Sequence, residues 1–379
     1  MENSLIRQIN YKKNKFYCQI QHLLKTNKKI GMYGNGIYAG FLSDRLKKIG
    51  INIDYFVIDD TYYKYQNKNE SVYPTSGLCD FKDSILIIGF ETIVEKEEEL
   101  KNKISKLYNT EPSIEIIDFE HCYIDWDFID YKYILEHLNS LQSVYDCLKD
   151  DYSRKVMVEY LNACISGESA ALCVLKTDHL HDYEYDLLFR NKPVGNILEC
   201  GAFNGKTAVE LSDYLRGIDC HNNIISLEPD DHNYAILAEK TKDLNNVKPL
   251  KYGVHEKDGK IFFDSNGGQG ARIVYPAKEN EDEYESIDTV SIDTLAEKYG
   301  NVGAILMDIE GSELAALKGG KKEILKNRPT LGVRIYHLKE DIFTIPIFIK
   351  EEFKTNNYDI YFRINANSRG ILDMTLYAV

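Results

Sequence analysis

Apolar residues along this chain recur at two periods, one suited to helices and one to buried strands. Up to about residue 28 the chain is polar, with Ile9, Phe16, Ile20, Leu23 and Leu24 spaced as on one helix face, which predicts an entry helix. Short apolar runs at 29–33, 53–58, 84–88 and 113–118 then alternate with helical patterns at 37–48 and 91–107. Four strands with intervening helices predict a small parallel sheet. Tyr73-Pro74, after the polar run 62–71, reads as the turn into the third strand.

From 126 to 190 the pattern is helical: Tyr133, Leu135, Leu138, Leu141 and Val144 share a face, and a second helix over 153–164 has Ser153 as its expected cap. A new strand-helix alternation begins at Asn196. Strands are expected at 197–200, 224–227, 248–253, 304–307 and 331–336, with a polar hairpin near 260–264. Helices are expected at 207–215, 231–243, 293–298, 313–325 and 345–356, and two closing strands at 359–364 and 374–378. The chain therefore divides into an α/β unit at 1–125, a helical connector at 126–190 and a second α/β unit at 191–379.

Composition narrows the partners. Lys and Arg total 46 against 60 Asp and Glu, a net charge of -14, and no dense basic stripe is present, so nucleic acid is not an expected partner. The eight cysteines form no CxxC pair and read as reduced thiols, and no window is long and apolar enough for a membrane span. A cytoplasmic location is the expectation. Nothing in the pattern sets the oligomeric state, and a homo-oligomer stays open.

Candidate chemistry concentrates at the ends of strands in the second unit. Glu199-Cys200-Gly201-Ala202-Phe203-Asn204-Gly205 closes an apolar strand and opens a helix at Thr207, and its glycines allow a sharp turn and a close backbone approach to a ligand. Glu228 ends the next strand, where an acid can take the two hydroxyls of a ribose. One strand further, Gly253-Val254 is expected beneath an adenine. Asp308 and Glu310 follow the fourth strand and His337 the fifth, so the three are expected to converge on an acceptor. A histidine titrating near neutrality suits proton removal from a hydroxyl, with a carboxylate orienting acceptor or base. The two carboxylates also suit a divalent cation, but their spacing does not require one, and no metal is assigned. A plain structural role for each of these residues, as a tight loop, a helix-capping acid or a strand-end histidine, stays open from the sequence alone.

Together with Ser226-Leu227-Glu228-Pro229, Ser291-Ile292-Asp293-Thr294-Leu295, Asp308-Ile309-Glu310-Gly311-Ser312-Glu313, Leu317-Lys318-Gly319-Gly320 and Ile335-Tyr336-His337, these segments resemble the FkbM family of methyltransferases over roughly the last 190 residues. The resemblance implies a class I methyltransferase fold, a Rossmann-like seven-stranded sheet with an antiparallel last strand. It also implies S-adenosylmethionine as donor and O-methylation of a sugar or polyketide hydroxyl, which makes the acceptor a small molecule or glycan. Carried over residue by residue, Glu199, Gly201, Asn204 and Gly205 would hold the donor, Glu228 its ribose, and Asp308, Glu310 and His337 the reacting region. Glu199 stands where the family commonly has Asp, and the stretch 266–285 is peculiar to this chain.

The first unit carries a second fingerprint. Gly34-Asn35-Gly36-Ile37-Tyr38-Ala39 follows a strand and starts a helix, and Asp59 ends the next strand, the pattern of a nucleotide turn with its ribose acid. The alternative function is thus a sugar-nucleotide or NAD-dependent oxidoreductase centred there. A Tyr-xxx-Lys proton relay is missing near that turn, which weighs against it, and so is the small size of the unit.

Overall fold

The structure is a computed structural model, and it describes residues 4–64, 71–89, 102–103, 105–107, 109, 113–117, 129–168, 175, 183–264, 272–274, 285–364 and 374–379. The stretch 266–285, except 272–274 and 285, and most of the expected helix 91–107 lie outside the described residues. Among them, no helix is long and apolar enough to cross a membrane.

The first unit is a five-stranded parallel sheet. Its strands are β1 (Ile30–Tyr33), β2 (Tyr55–Ile58), β3 (Val72–Pro74), β4 (Ile85–Ile88) and β5 (Glu115–Ile117), in the order β3-β2-β1-β4-β5. One strand more is present than the hydrophobic pattern predicts. Tyr73 and Pro74 do not form a turn: they pair in parallel with Val57 and Ile58. Proline lacks an N–H, and an edge strand is where a sheet tolerates that loss. The central strands are apolar throughout because both faces are covered. Met32, Ile85 and Ile87 pack with Phe16, Ile20, Leu42 and Leu46 on one side, and Tyr33, Leu86 and Ile88 pack with Val57 and Leu78 on the other.

The second unit contains β6 (Asn196–Cys200), β7 (Ile224–Leu227), β8 (Val247–Leu250), β9 (Gly253–Val254), β10 (Gly259–Asp264), β11 (Arg272–Val274), β12 (Glu285–Val290), β13 (Val302–Met307), β14 (Thr330–Arg334), β15 (Ile360–Ile364) and β16 (Met374–Ala378). Seven of them form one mixed sheet ordered β15-β16-β14-β13-β6-β7-β8, with β16 inserted antiparallel to both neighbours. The other four build a separate sheet, β11-β10-β12-β9. The single strand expected at 248–253 is therefore two, divided between the sheets. Strand β12 is not apparent in the hydrophobic pattern, because Glu285-Ser286-Ile287-Asp288-Thr289-Val290 places its two apolar residues three apart and lacks the strict alternation of a strand.

The helices Tyr131–Glu136, Leu138–Cys147 and Asp151–Ser166 pack into the core of the large sheet, where Val156, Met157 and Leu161 join Ile305, Val333 and Phe362. Leu5 and Ile9 belong to that same core, so the start of the chain is tied to the second unit. Helix Asp151–Ser166 is capped by Asp150, not Ser153: the Ser153 N–H donates to Asp150 Oδ1 at 2.7 Å. Ser153 is buried one turn in, where its hydroxyl accepts from the Phe362 N–H and from Arg363. Arg363 is further paired with Asp150 at 2.8 Å and Glu184 at 3.0 Å. Asp150→Ala removes the cap and one counter-charge of a buried guanidinium together. A loss of about 2 kcal/mol is expected in urea denaturation, and an unchanged midpoint would show that the remaining Glu184 contact suffices.

Candidate active site

The site lies at the carboxyl ends of β6, β7, β13 and β14, the edge where open α/β sheets bind ligands. After β6 the chain turns through Gly201, Phe203 and Gly205, all at positive φ (85°, 44° and 77°), and enters helix Lys206–Gly217. The turn is anchored by the Gly201 and Ala202 N–H groups, which both donate to Leu227 O at the end of β7. At Gly201 a glycine is required for a second reason: an added Cβ would stand 1.9 Å from the carbonyl oxygen of Asp308. The glycine turn and the acidic loop after β13 are thus pressed against each other.

Glu228 sits where β7 ends and is nearly buried. Its carboxylate accepts from the Phe203 N–H at 2.8 Å and the Asp230 N–H at 3.0 Å, one bond to each oxygen. Burial pushes its pKa up to about 7, against the lowering effect of those two bonds. A carboxylate held in place by backbone donors keeps lone pairs for the two hydroxyls of a ribose, so the residues present fit an adenosyl donor. Asn204 Oδ1 accepts from Lys206 and Lys240, and Thr207 lies in the first turn of the helix. Glu199 is the strand residue that precedes the glycine turn, as expected. It lies within β6, buried, and its carboxyl accepts from the Ser226 hydroxyl of β7. Gly253 and Val254 lie in β9, paired with β12 and buried, and a Cβ on Gly253 would meet Ile287 at 2.8 Å. The fold thus supplies a packing reason for that glycine.

The acidic loop and His337 do converge. After β13, Glu310 and Gly311 both adopt positive φ (56° and 96°), which for Glu310 is an uncommon, strained choice. The curl points the Ile309 and Gly311 N–H groups at the carboxylate of Glu313, which accepts both at 2.9 and 3.0 Å. Glu313 is fully buried and also meets His337 Nδ1 at 2.8 Å. On the other side of the ring, Nε2 lies 3.2 Å from Asp308 Oδ1 and 3.5 Å from Glu310 Oε2. The second oxygen of Asp308 faces Arg334 at 3.6 Å, and Tyr336 donates to the first.

Electrostatics alter the roles expected for these residues. Burial alone would depress the pKa of His337, but Glu313, Asp308 and Glu310 together raise it well above its ordinary value. Burial would likewise raise Asp308, yet His337 and Arg334 hold it below the usual carboxylate range. Asp341, whose carboxylate accepts from the Leu338 N–H, is pushed up to about 8 by burial and by Glu313. An imidazole ringed by three carboxyl groups holds its proton more firmly than a free one, so the same acids that position His337 also work against its losing that proton. The sequence also left out Glu313, Arg334 and Tyr336. Glu313 had one signal: an acid opening the apolar helix stretch Leu314-Ala315-Ala316-Leu317, where a solvated face would be expected.

In the first unit, Gly36 caps helix Ile37–Lys48 and Gly34 has φ 120°. Asp59 accepts from the Tyr33 hydroxyl at 2.5 Å and from Lys103 at 3.1 Å. The acid of that fingerprint is thus already engaged within the fold.

The strand order of the large sheet, with its glycine turn after the first strand and an acid ending the second, defines a class I methyltransferase. More particularly, residues 199–360 match the family described as the methyltransferase FkbM domain, and the chain carries an S-adenosylmethionine-dependent methyltransferase domain of that family. The crystal structure of methyltransferase FkbM from Methylobacillus flagellatus KT is similar over 97% of this chain and 94% of that one, with TM-score 0.69 and 18% identity, a likeness of fold. Aeropyrum pernix fibrillarin in complex with natively bound S-adenosyl-L-methionine matches at 14% identity, over 48% of this chain and 66% of that one, with TM-score 0.29. SAH-bound Podospora anserina methyltransferase PaMTH1 matches at 13% identity, over 76% and 98%, with TM-score 0.26. Those two superpose too loosely to add to the argument. No curated protein sequence matches the chain.

Proposed function

We propose that the protein is an O-methyltransferase whose acceptor is a hydroxyl of a sugar, carried on a nucleotide or in a glycan precursor, and that it works in the cytoplasm. The observation carrying this reading is the group Asp308, Glu310 and His337 beside the glycine turn, at 3.2 and 3.5 Å from one another through the ring nitrogen. Hydroxyls are weak nucleophiles until their proton is being lost, and a charged, oxygen-rich cluster promotes that loss. Thiols and activated carbons have less need of it.

On this reading the turn Gly201 to Gly205 and Glu228 hold the donor, with Asn204 and Thr207 beside it. The donor supplies an electrophilic methyl group on a sulfonium. Asp308 and Glu310, each about one-third exposed, face the acceptor side and hydrogen-bond its hydroxyls. Arg334 and Glu313 fix Asp308 and His337 in place. Glu199 would act on the donor only through the strand pair it braces with Ser226.

The test is transfer of a labelled methyl group from S-adenosylmethionine to a panel of nucleotide sugars and glycan precursors. His337→Ala is expected to keep S-adenosylhomocysteine binding while transfer falls roughly a hundredfold. Wild-type transfer to thiols or carbon acceptors, with none to hydroxyls, would refute the O-specific reading.

A further inference from the structure

The geometry points to a divalent-cation site formed by Asp308 Oδ1, Glu310 Oε2 and His337 Nε2, taking a hard ion such as Mg²⁺ or Mn²⁺ that binds the acceptor hydroxyl. The inference rests on the O-methyltransferase reading and deepens it. The three ligand atoms lie within 4.8 Å of one another. Two carboxylate oxygens and one imidazole nitrogen form a donor set for a hard or borderline ion, with coordination positions left for acceptor and water.

The observation that separates this cluster from an ordinary patch of acids is His337. Its side chain is 7% exposed, and its Nε2 makes no hydrogen bond although two carboxylates flank it. Those flanking contacts are ion-pair distances without hydrogen-bond geometry. An octahedral ion with bonds of about 2.1 Å places neighbouring ligands about 3.0 Å apart, and the observed 3.2 and 3.5 Å need only small adjustments to reach that.

The surroundings are those of a ligand held for a metal. Glu313 occupies Nδ1 at 2.8 Å, which turns Nε2 toward the two carboxylates, where an entering cation would take the place of the ring proton. A buried carboxylate behind a histidine is a recurrent outer support of metal sites, because it fixes the ring's tautomer and orientation. Glu313 cannot turn away, since the Ile309 and Gly311 N–H groups hold both its oxygens. Arg334 lies against the other oxygen of Asp308, so Oδ1 faces His337, with the Tyr336 hydroxyl donating to it at 3.4 Å. Asp308 and Glu310 are about one-third exposed, so the site opens on the acceptor side. Its carbonyl contact with Gly201 ties Asp308 to the donor turn.

In the step so assisted, the acceptor oxygen is coordinated and its proton leaves to solvent. That oxygen attacks the methyl carbon, and the carbon–oxygen bond forms as the carbon–sulfur bond breaks. The sulfur keeps the electron pair and becomes a neutral thioether. The ion changes no oxidation state; it acts by lowering the pKa of the hydroxyl and by aiming it.

The experiment titrates the full chain with Mn²⁺ alone, reading bound ion by the loss of the free Mn²⁺ paramagnetic resonance signal. S-adenosylhomocysteine is titrated separately by calorimetry. One Mn²⁺ per chain is expected, with affinity falling more than tenfold in Asp308→Asn and in His337→Ala. Glu313→Gln, as a positioning residue, is expected to lose roughly 10–100-fold in Mn²⁺ affinity, while exposed Glu239→Gln leaves it unchanged. Circular dichroism and retained S-adenosylhomocysteine binding show that each variant is folded. A wild-type chain that takes up no Mn²⁺, or one whose uptake these three variants leave unaltered, overturns the proposal and leaves a metal-free ion-pair network. The donor titration answers for the methyltransferase reading alone, so either can fail without the other.

Discussion

Gly201→Val is expected to abolish donor binding, with S-adenosylhomocysteine affinity reduced more than a thousandfold in calorimetry. The side chain must enter at φ 85°, a region that costs a non-glycine residue about 1–2 kcal/mol and a β-branched one more. The larger obstacle is the carbonyl oxygen of Asp308 at 1.9 Å from the new Cβ. That oxygen belongs to backbone fixed by the Asp308 N–H bond to Cys200 O at 3.0 Å, so it cannot swing aside as a flexible side chain would. Relief requires the loops after β6 and β13 to separate, which pulls apart the donor turn and the acidic cluster in one move. Gly36→Ala is the contrast: nothing lies within 4 Å of the added Cβ, and donor binding is expected to stay intact. A Gly201→Val protein that bound S-adenosylhomocysteine as tightly as the wild type would remove the donor site from this turn.

Glu228 has the second large effect, visible in both affinity and pH dependence. Its pKa is about 7 in the folded chain against 4.5 for a free glutamate. Between those values the folded chain retains a proton that the unfolded chain has released. Stability therefore falls as pH rises from about 4.5 through about 7, by about 3 kcal/mol for a shift of this size. Urea midpoints at pH 5 and pH 8 measure the fall, and Glu228→Gln is expected to flatten that part of the profile. Donor affinity is expected to run the other way. Ribose hydroxyls donate to the ionised carboxylate, so S-adenosylhomocysteine binds more tightly as pH rises through about 7. Glu228→Ala, which deletes two charge-assisted hydrogen bonds, is expected to weaken binding on the order of a thousandfold. Equal stability slopes in wild type and Glu228→Gln would show that the carboxyl titrates normally, and unchanged donor affinity in Glu228→Ala would exclude it from the ribose.

Much of the site was legible because its parts are local. Gly201 and Gly205 announce a turn between a strand and a helix, and Glu228 announces itself as a polar residue ending an apolar run; the turn and the strand end form where these residues stand. Asp308, Glu310 and His337 were placed on one edge by strand order alone, and the structure brings both acids to within 3.5 Å of the His337 ring nitrogen. Their charge states were not legible. Whether a histidine is free or protonated depends on which carboxylates surround it, and Glu313 reaches Nδ1 from another element, 24 residues away in sequence.

The alternation of apolar runs determined, without coordinates, that there would be two strand-helix units, that the large sheet would end in a hairpin pair, and where its chemical residues would stand. Periodicity and turn residues act over a few neighbours, and those features need no more. Tertiary packing alone decided that Val72–Pro74 would be an edge strand, that β9 would leave the large sheet for β12, and that Asp150 would cap the helix credited to Ser153. It also decided that Glu199 would face Ser226 inside the sheet and that His337 would be enclosed by acids. Each of these outcomes is set by a partner distant along the chain, and the energy of a buried pair depends on geometry that no local pattern contains.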